Sequence, residues 1–229
     1  MKRFLLPALF LVLVGEKIYA QDTPCSGMQT VTYSGKIYHT VQIGRQCWLK
    51  ENLDVGIKID GSLVQTDNRV IEKYCYGDDS ANCTEYGGLY QWAEAVQYKK
   101  GATNSKSPHP DFTGNIQGIC PIGWHIPRLT EFQELGEAVS YNSNALKAVR
   151  QGSRNGEGTN TSGFSALFTG YRNKNGNFIG FPLITSFWSS TEHNAWYAYG
   201  VFLSSDNSAL HFDYYYYKVH SFSVRCVKD

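Results

Sequence analysis

Ser186-Phe187-Trp188-Ser189-Ser190-Thr191, then Ala195 to Ser204, Ser208 to Tyr217 and Ser221 to Val227, is the stretch whose reading decides the fold. Short runs rich in aromatic and β-branched residues, broken by polar turns, read as strands. Ser205-Asp206-Asn207 joins the second run to the third. Just upstream, Phe164 to Arg172 and Asn177 to Phe181 flank Asn173-Lys174-Asn175-Gly176, whose Asn-Gly is a strong hairpin signal. Residues 151–163, rich in Gly, Ser, Thr and Asn, read as a loop. Before it, Phe132, Leu135 and Val139 keep helical spacing behind Thr130 and Gln133 at capping-box distance, so a helix is expected near 130–140. A further helical stretch is expected around 144–150, and Leu89, Trp92, Ala93 and Val96 place a short helix over 88–98. Near the start, Val31-Thr32-Tyr33 and Ile37 to Ile43 flank Ser34-Gly35 as a two-residue hairpin. Two or three helices with a closing run of short strands give an α+β class with antiparallel pairing. Nothing between residues 21 and 229 resembles a flexible joint, so one domain is expected there.

The chain has 229 residues, 42% of them hydrophobic and 18% charged, which excludes a disordered chain. Its formal net charge of +1 leaves no electrostatic footprint for a nucleic-acid partner. Lys2 and Arg3 precede an apolar run from Phe4 to Val14, and Ile18-Tyr19-Ala20 ends on a small residue. That run is too short to cross a bilayer core of ~30 Å, so residues 1–20 read as a cleaved export signal. Without Lys2, Arg3, Lys17 and Glu16, the remaining 209 residues carry 18 basic and 19 acidic side chains. No other stretch reads as a membrane span, and the expected location is secreted, periplasmic or at the cell surface.

Export gives the six cysteines an oxidising compartment. Cys25, Cys47, Cys75, Cys83, Cys120 and Cys226 include no C-x-x-C, so neither a zinc ribbon nor a thioredoxin-type pair is indicated. Six cysteines allow 15 pairings. Cys75 and Cys83 bracket a turn-rich polar stretch, Cys25 and Cys47 flank the first hairpin, and Cys120 is left with Cys226. These read as staples rather than as a reactive site.

Five stretches carry a resemblance. Val41-Gln42-Ile43-Gly44-Arg45-Gln46-Cys47-Trp48-Leu49-Lys50-Glu51-Asn52-Leu53 resembles the opening motif of the Fibrobacter succinogenes major paralogous domain. Tyr86-Gly87-Gly88-Leu89-Tyr90-Gln91-Trp92 resembles its central motif, and Cys120-Pro121-Ile122-Gly123-Trp124-His125-Ile126-Pro127 the next. Phe187 to Thr191 and Ser223-Val224-Arg225-Cys226-Val227 follow in family order. The resemblance implies an exported protein of the kind found in Bacteroidota and Fibrobacter-type bacteria. It also implies a C-type-lectin-like single domain, distantly similar to formylglycine-generating enzymes, and it brings no established activity.

Within these motifs Trp48, Trp92, Trp124 and Trp188 read as core anchors. His125 reads as a hydrogen-bonded structural imidazole, Arg225 as a maker of a buried ion pair or carbonyl contacts, and Asn52 as a cap or turn residue. Enzyme signatures are missing from the sequence: no G-x-S-x-G, H-E-x-x-H, phosphate loop or G-x-G-x-x-G before a helix. Ser189, Ser190, Glu192 and His193 have hydrolase residue types, but neighbours on a strand point to opposite faces. No cofactor or metal is indicated, since Asp78-Asp79 lacks the oxygen spacing of a calcium loop and no lectin-type calcium motif is present. Asp79-Ser80-Ala81 resembles a short O-glycosylation motif of Bacteroidota. The leading expectation is a non-catalytic binding or adhesion module for an exterior glycan or protein, ahead of a structural surface subunit and a secreted hydrolase. Its ligand surface is expected on the second-half loops, at Asn173, Asn175, Asn177, His193, Asn194, Trp196, Asp206 and Asn207, beside Tyr214 to Tyr217 as stacking rings.

Overall fold

The structure, a computed structural model, describes residues 25, 27–108, 110, 112–212 and 215–229. The expected export signal at residues 1–20, and Tyr214, lie outside the described residues. The first half runs β1 (Thr30–Tyr33), β2 (Lys36–Ile43), β3 (Gln46–Leu49), β4 (Ile57–Lys58), β5 (Glu72–Lys73), α1 (Ser80–Tyr86), β6 (Tyr90–Gln91) and α2 (Trp92–Ala95). The second half runs β7 (Trp124–His125), α3 (Leu129–Ala138), β8 (Tyr171–Arg172), β9 (Phe178–Ile179), β10 (Ile184–Glu192), β11 (Tyr197–Ser204), β12 (Tyr215–Tyr217), β13 (Ser221–Phe222) and β14 (Val227–Lys228). This is a mixed α+β architecture of mostly short antiparallel strands.

Three antiparallel sheets build it, in the orders β1-β2-β3-β14-β7, β10-β11-β12 and β6-β13-β8-β9, beside a parallel β4-β5 pair. The first hairpin forms because Ser34 and Gly35 both take positive φ, 48° and 77°, the turn that matches strand twist. The last strands come from one continuous segment that serves different sheets. β13 pairs with β6 and β8, Ser223 bridges Phe187 of β10, and β14 pairs with β3 and β7.

β10 is buried on both faces, and its alternation sends successive side chains to two cores. Trp188 joins Trp92, Tyr90 and Phe222 on one side, with the Phe222 ring 4.3 Å away. Phe187 faces Trp48, Phe132, Leu135 and Phe164 on the other. Three of the buried indoles have their N–H satisfied: Trp188 donates to Tyr90 O at 2.7 Å, Trp92 to Ser189 O at 2.9 Å, and Trp48 to Gln46 Oε1 at 3.1 Å.

Three disulfides staple these layers, Cys25–Cys47, Cys75–Cys83 and Cys120–Cys226, and no cysteine is free. They indicate an oxidising, extracytoplasmic setting. No helix among the described residues is long and apolar enough to cross a membrane.

Several local expectations are corrected. The 88–98 helix shrinks to α2, because Tyr90 and Gln91 are drawn into β6 by pairing with β13. The stretch between Cys75 and Cys83 is not all turn: Asp79 Oδ1 accepts from Ala81 N at 2.9 Å and caps α1. α3 is capped by Glu131, whose carboxylate accepts from Arg128 N at 2.8 Å, rather than through Thr130 and Gln133. Around 144–150 no α-helix forms: a tight turn at Ser143–Ala145 leads into the Lys147–Ala166 bridge and a second turn closed by Gln151 N on Ala148 O. The expected strand over Ser208 to Tyr217 contracts to β12, since Phe212 leaves the sheet to pack on Gly136 of α3. Likewise Phe164 to Arg172 is a strand only at its end, its aromatic rings Phe164 and Phe168 turning into the core.

Candidate functional site

The β11 face is covered at one end and bare at the other. Val201 and Leu203 pack with Phe132 and Leu135 of α3. Tyr197 and Tyr199 lie on the same face by the two-residue period, beyond the helix, and are only half-buried. β12 pairs with this end in the register Tyr197↔Tyr217 and Tyr199↔Tyr215, which places all four phenols on one surface. Tyr216, between them, points inward onto Phe222 at 4.9 Å.

Around these phenols the β10–β11 turn adds His193 and Trp196. The His193 ring stacks on Tyr215 at 3.9 Å, 4° from parallel, and its Nδ1 lies 3.1 Å from the Tyr199 hydroxyl. Tyr197 and Tyr217 meet at 4.5 Å, and the Lys174 ammonium sits 4.6 Å above the Tyr217 ring. Trp196 is 57% exposed, Tyr215 48% and Tyr217 36%, so much of these three side chains stays in solvent even with His193 and Lys174 against two of the rings. Asn194 fixes the turn: its Oδ1 accepts from Trp196 N at 2.9 Å and from Tyr197 N at 3.1 Å.

The expected surface residues therefore divide. His193, Asn194 and Trp196 belong to the aromatic patch. The Asn173–Asn177 turn adjoins it through Lys174, although Asn173 Oδ1 is committed to the turn by Asn175 N and Asn177 N. Asp206 and Asn207 lie past the opposite end of β11, roughly 25 Å away by strand rise. There Asn207 O accepts from the buried Lys147 amine at 2.6 Å, and Asp206 Oδ1 accepts from Ser204 and Asn207. Tyr197 and Tyr199 are not among the residues expected from sequence, although the alternation Tyr197-Ala198-Tyr199 opposite Tyr215-Tyr216-Tyr217 is a signal that points to them.

The hydrolase-type residues are occupied elsewhere. Ser190 Oγ faces Pro127 O, Ser189 Oγ accepts from Thr191 N, and Glu192 pairs with the buried Lys218 ammonium. His125 is buried between two carboxylates, with Nε2 2.9 Å from Glu131 Oε1 and Nδ1 2.6 Å from Asp229 Oδ1. Burial works against charge on Glu131, but hydrogen bonds from His125 and Arg128 outweigh it and hold the carboxyl down at about 2. Among the described residues, no group of three or more His, Cys, Asp and Glu could hold a metal ion.

A profile of the Fibrobacter succinogenes major domain matches residues 41–228. The chain belongs to the Fibrobacter succinogenes major domain family. In this member the family region opens inside β2 and closes in β14, the two strands that flank β3. The aromatic patch lies within it, whereas β1 and Cys25 precede it. No curated protein and no solved structure matches this family member.

Proposed function

We propose that the protein is an exported, non-catalytic binding module that holds a glycan on the aromatic patch formed by β11, β12 and the turn between β10 and β11. The observation that carries this reading is the set of solvent-facing rings, Trp196, Tyr215 and Tyr217, braced from below and beside by Tyr197, Tyr199 and the stacked His193. Rigid exposed rings stack on the C–H faces of sugars, while phenol hydroxyls at their margins exchange hydrogen bonds with sugar hydroxyls. The C-type-lectin-like outline belongs to the same proposal. It is supported by the antiparallel pairing of β3 with the terminal β14, close to Cys120–Cys226, and by a loop-rich second half.

A glycan array probed with the protein tests this reading. Trp196→Ala and Tyr215→Ala are each expected to weaken the selected glycan about tenfold, with little change in thermal midpoint. An array without binders, or binders held equally by the double variant, overturns the proposal. A structural surface subunit is the second reading, favoured by the position of β12 at the end of its sheet. It predicts self-association that a proline at Tyr217 abolishes.

A further inference from the structure

Lys50 to Asn52, Tyr86-Gly87 and Arg225, drawn from the first, second and last of the five stretches that carry the family resemblance, meet around one cavity of about 270 Å³. Its far wall is Ala148, Ser165 and Leu167. This cavity is separate from the aromatic patch and shares none of its residues.

Arg225 supports it from beneath, only 1% exposed. Four of its five N–H groups have acceptors. Nε and Nη2 both donate to Asn52 Oδ1, at 3.1 and 2.7 Å, and Nη1 donates to Leu49 O at 3.2 Å and Phe164 O at 2.7 Å. The fifth, the second N–H on Nη2, has no acceptor among the described residues. All these acceptors are neutral, and the rings of Phe164 and Phe187 lie 4.3 and 5.4 Å from the guanidinium carbon. A buried cation held only by dipoles and ring faces keeps its charge uncompensated. Burial accordingly pulls the Arg225 guanidinium down to about 9, with Glu51 opposing.

The rim adds two amines. Among the described residues the Lys50 ammonium has no hydrogen bond or ion pair, while Lys36 divides its own between Asp54 Oδ2 at 3.4 Å and Thr84 O at 3.2 Å. Two carboxylates also border the space. Glu51 is tied by His39, through N at 2.7 Å and Nδ1 at 2.8 Å, and Glu85 is exposed. The asymmetry is a positive floor and a mixed rim.

We infer that this cavity binds the carboxylate of an acidic monosaccharide unit, the acid group directed at Arg225 and Lys50 and the ring hydroxyls at the rim carboxylates. The floor asks for one anion. The rim acids, which repel a second anion, are acceptors for hydroxyl donors. A peptide C-terminus shares the carboxylate but offers no hydroxyl array to Glu51 and Glu85.

The test is a titration of the disulfide-bonded protein with glucuronate, followed by NMR on the Arg225 Nε–H and neighbouring amides. Saturable binding with Kd on the order of 1 mM is expected for so small a ligand. Glucose is expected to leave the Arg225 signal in place, and acetate to bind more weakly than glucuronate. Lys50→Glu is expected to weaken glucuronate at least about tenfold at an unchanged thermal midpoint, since that ammonium holds no partner. No saturable shift, equal binding of glucose, or indifference to Lys50→Glu overturns the inference. Tighter binding of trialanine than of glucuronate overturns the sugar assignment. None of these outcomes depends on the aromatic patch.

Discussion

Replacing Cys120 and Cys226 together by Ala is expected to be the most damaging of the three disulfide deletions. The bridge joins residues 106 apart in sequence, against 22 for Cys25–Cys47 and 8 for Cys75–Cys83. Loop-closure entropy released to the unfolded chain then gives losses of about 5, 3.4 and 2.5 kcal/mol respectively. Both sulfurs of the long bridge lie in the larger core, so lost packing adds to the first figure. For a chain of this size, about 5 kcal/mol lowers the thermal midpoint by roughly 10–20 °C. Urea unfolding of the three paired variants, with equal m-values, measures the ranking. If the Cys75/Cys83 variant loses as much as the Cys120/Cys226 variant, chain entropy is not what these bridges supply.

Glu131→Gln should lower stability near neutral pH by up to about 3 kcal/mol and flatten the acid limb. The folded carboxyl is held near 2, below its ordinary 4.5, so its contribution is complete above about 4.5 and is lost as pH falls toward 2. Urea midpoints of both proteins across that range should converge at the acid end; parallel curves would contradict the assignment. Gly118→Ala should destabilise by more than about 1 kcal/mol, because φ is +53° and a Cβ would stand 2.2 Å from Ala95 O. The same urea assay reads it, and a neutral result would show that this loop yields easily. Trp188→Ala should cost about 3–5 kcal/mol, read as a fall in thermal midpoint, since the ring is fully buried against Phe222 and its N–H is bonded to Tyr90 O.

What the sequence made legible follows the range of the forces involved. The first hairpin, α3 and the long pair β10–β11 are visible because their side-chain periods and turn residues are local. β13 and β14 are not, since their separate partners, β6 with β8 and β3 with β7, lie far upstream and only long-range pairing divides one apparent strand in two. The 88–98 segment fails for the same reason. Its helical spacing is real, yet β13 takes Tyr90 and Gln91 first. For the candidate patch, the turn residues His193, Asn194 and Trp196 announce themselves by type, whereas grouping Tyr197 and Tyr199 with Tyr215 and Tyr217 needs the register. Asp206 and Asn207 have the same polar character as the other loop residues. Only the strand direction of β11 shows that they serve Lys147 at the opposite end.

The terminal segment Ser221–Lys228 sets the order in which the molecule can be assembled. It supplies β13 to one sheet, the Ser223 bridge to a second and β14 to a third, and it carries the distal half of the longest disulfide. Contacts such as Arg225 with Asn52 span 173 residues. High contact order of this kind slows folding. Here it also concentrates completion in one event: the sheets β1-β2-β3-β14-β7 and β6-β13-β8-β9 both stay a strand short until this single segment docks, and the same docking brings Cys226 to Cys120.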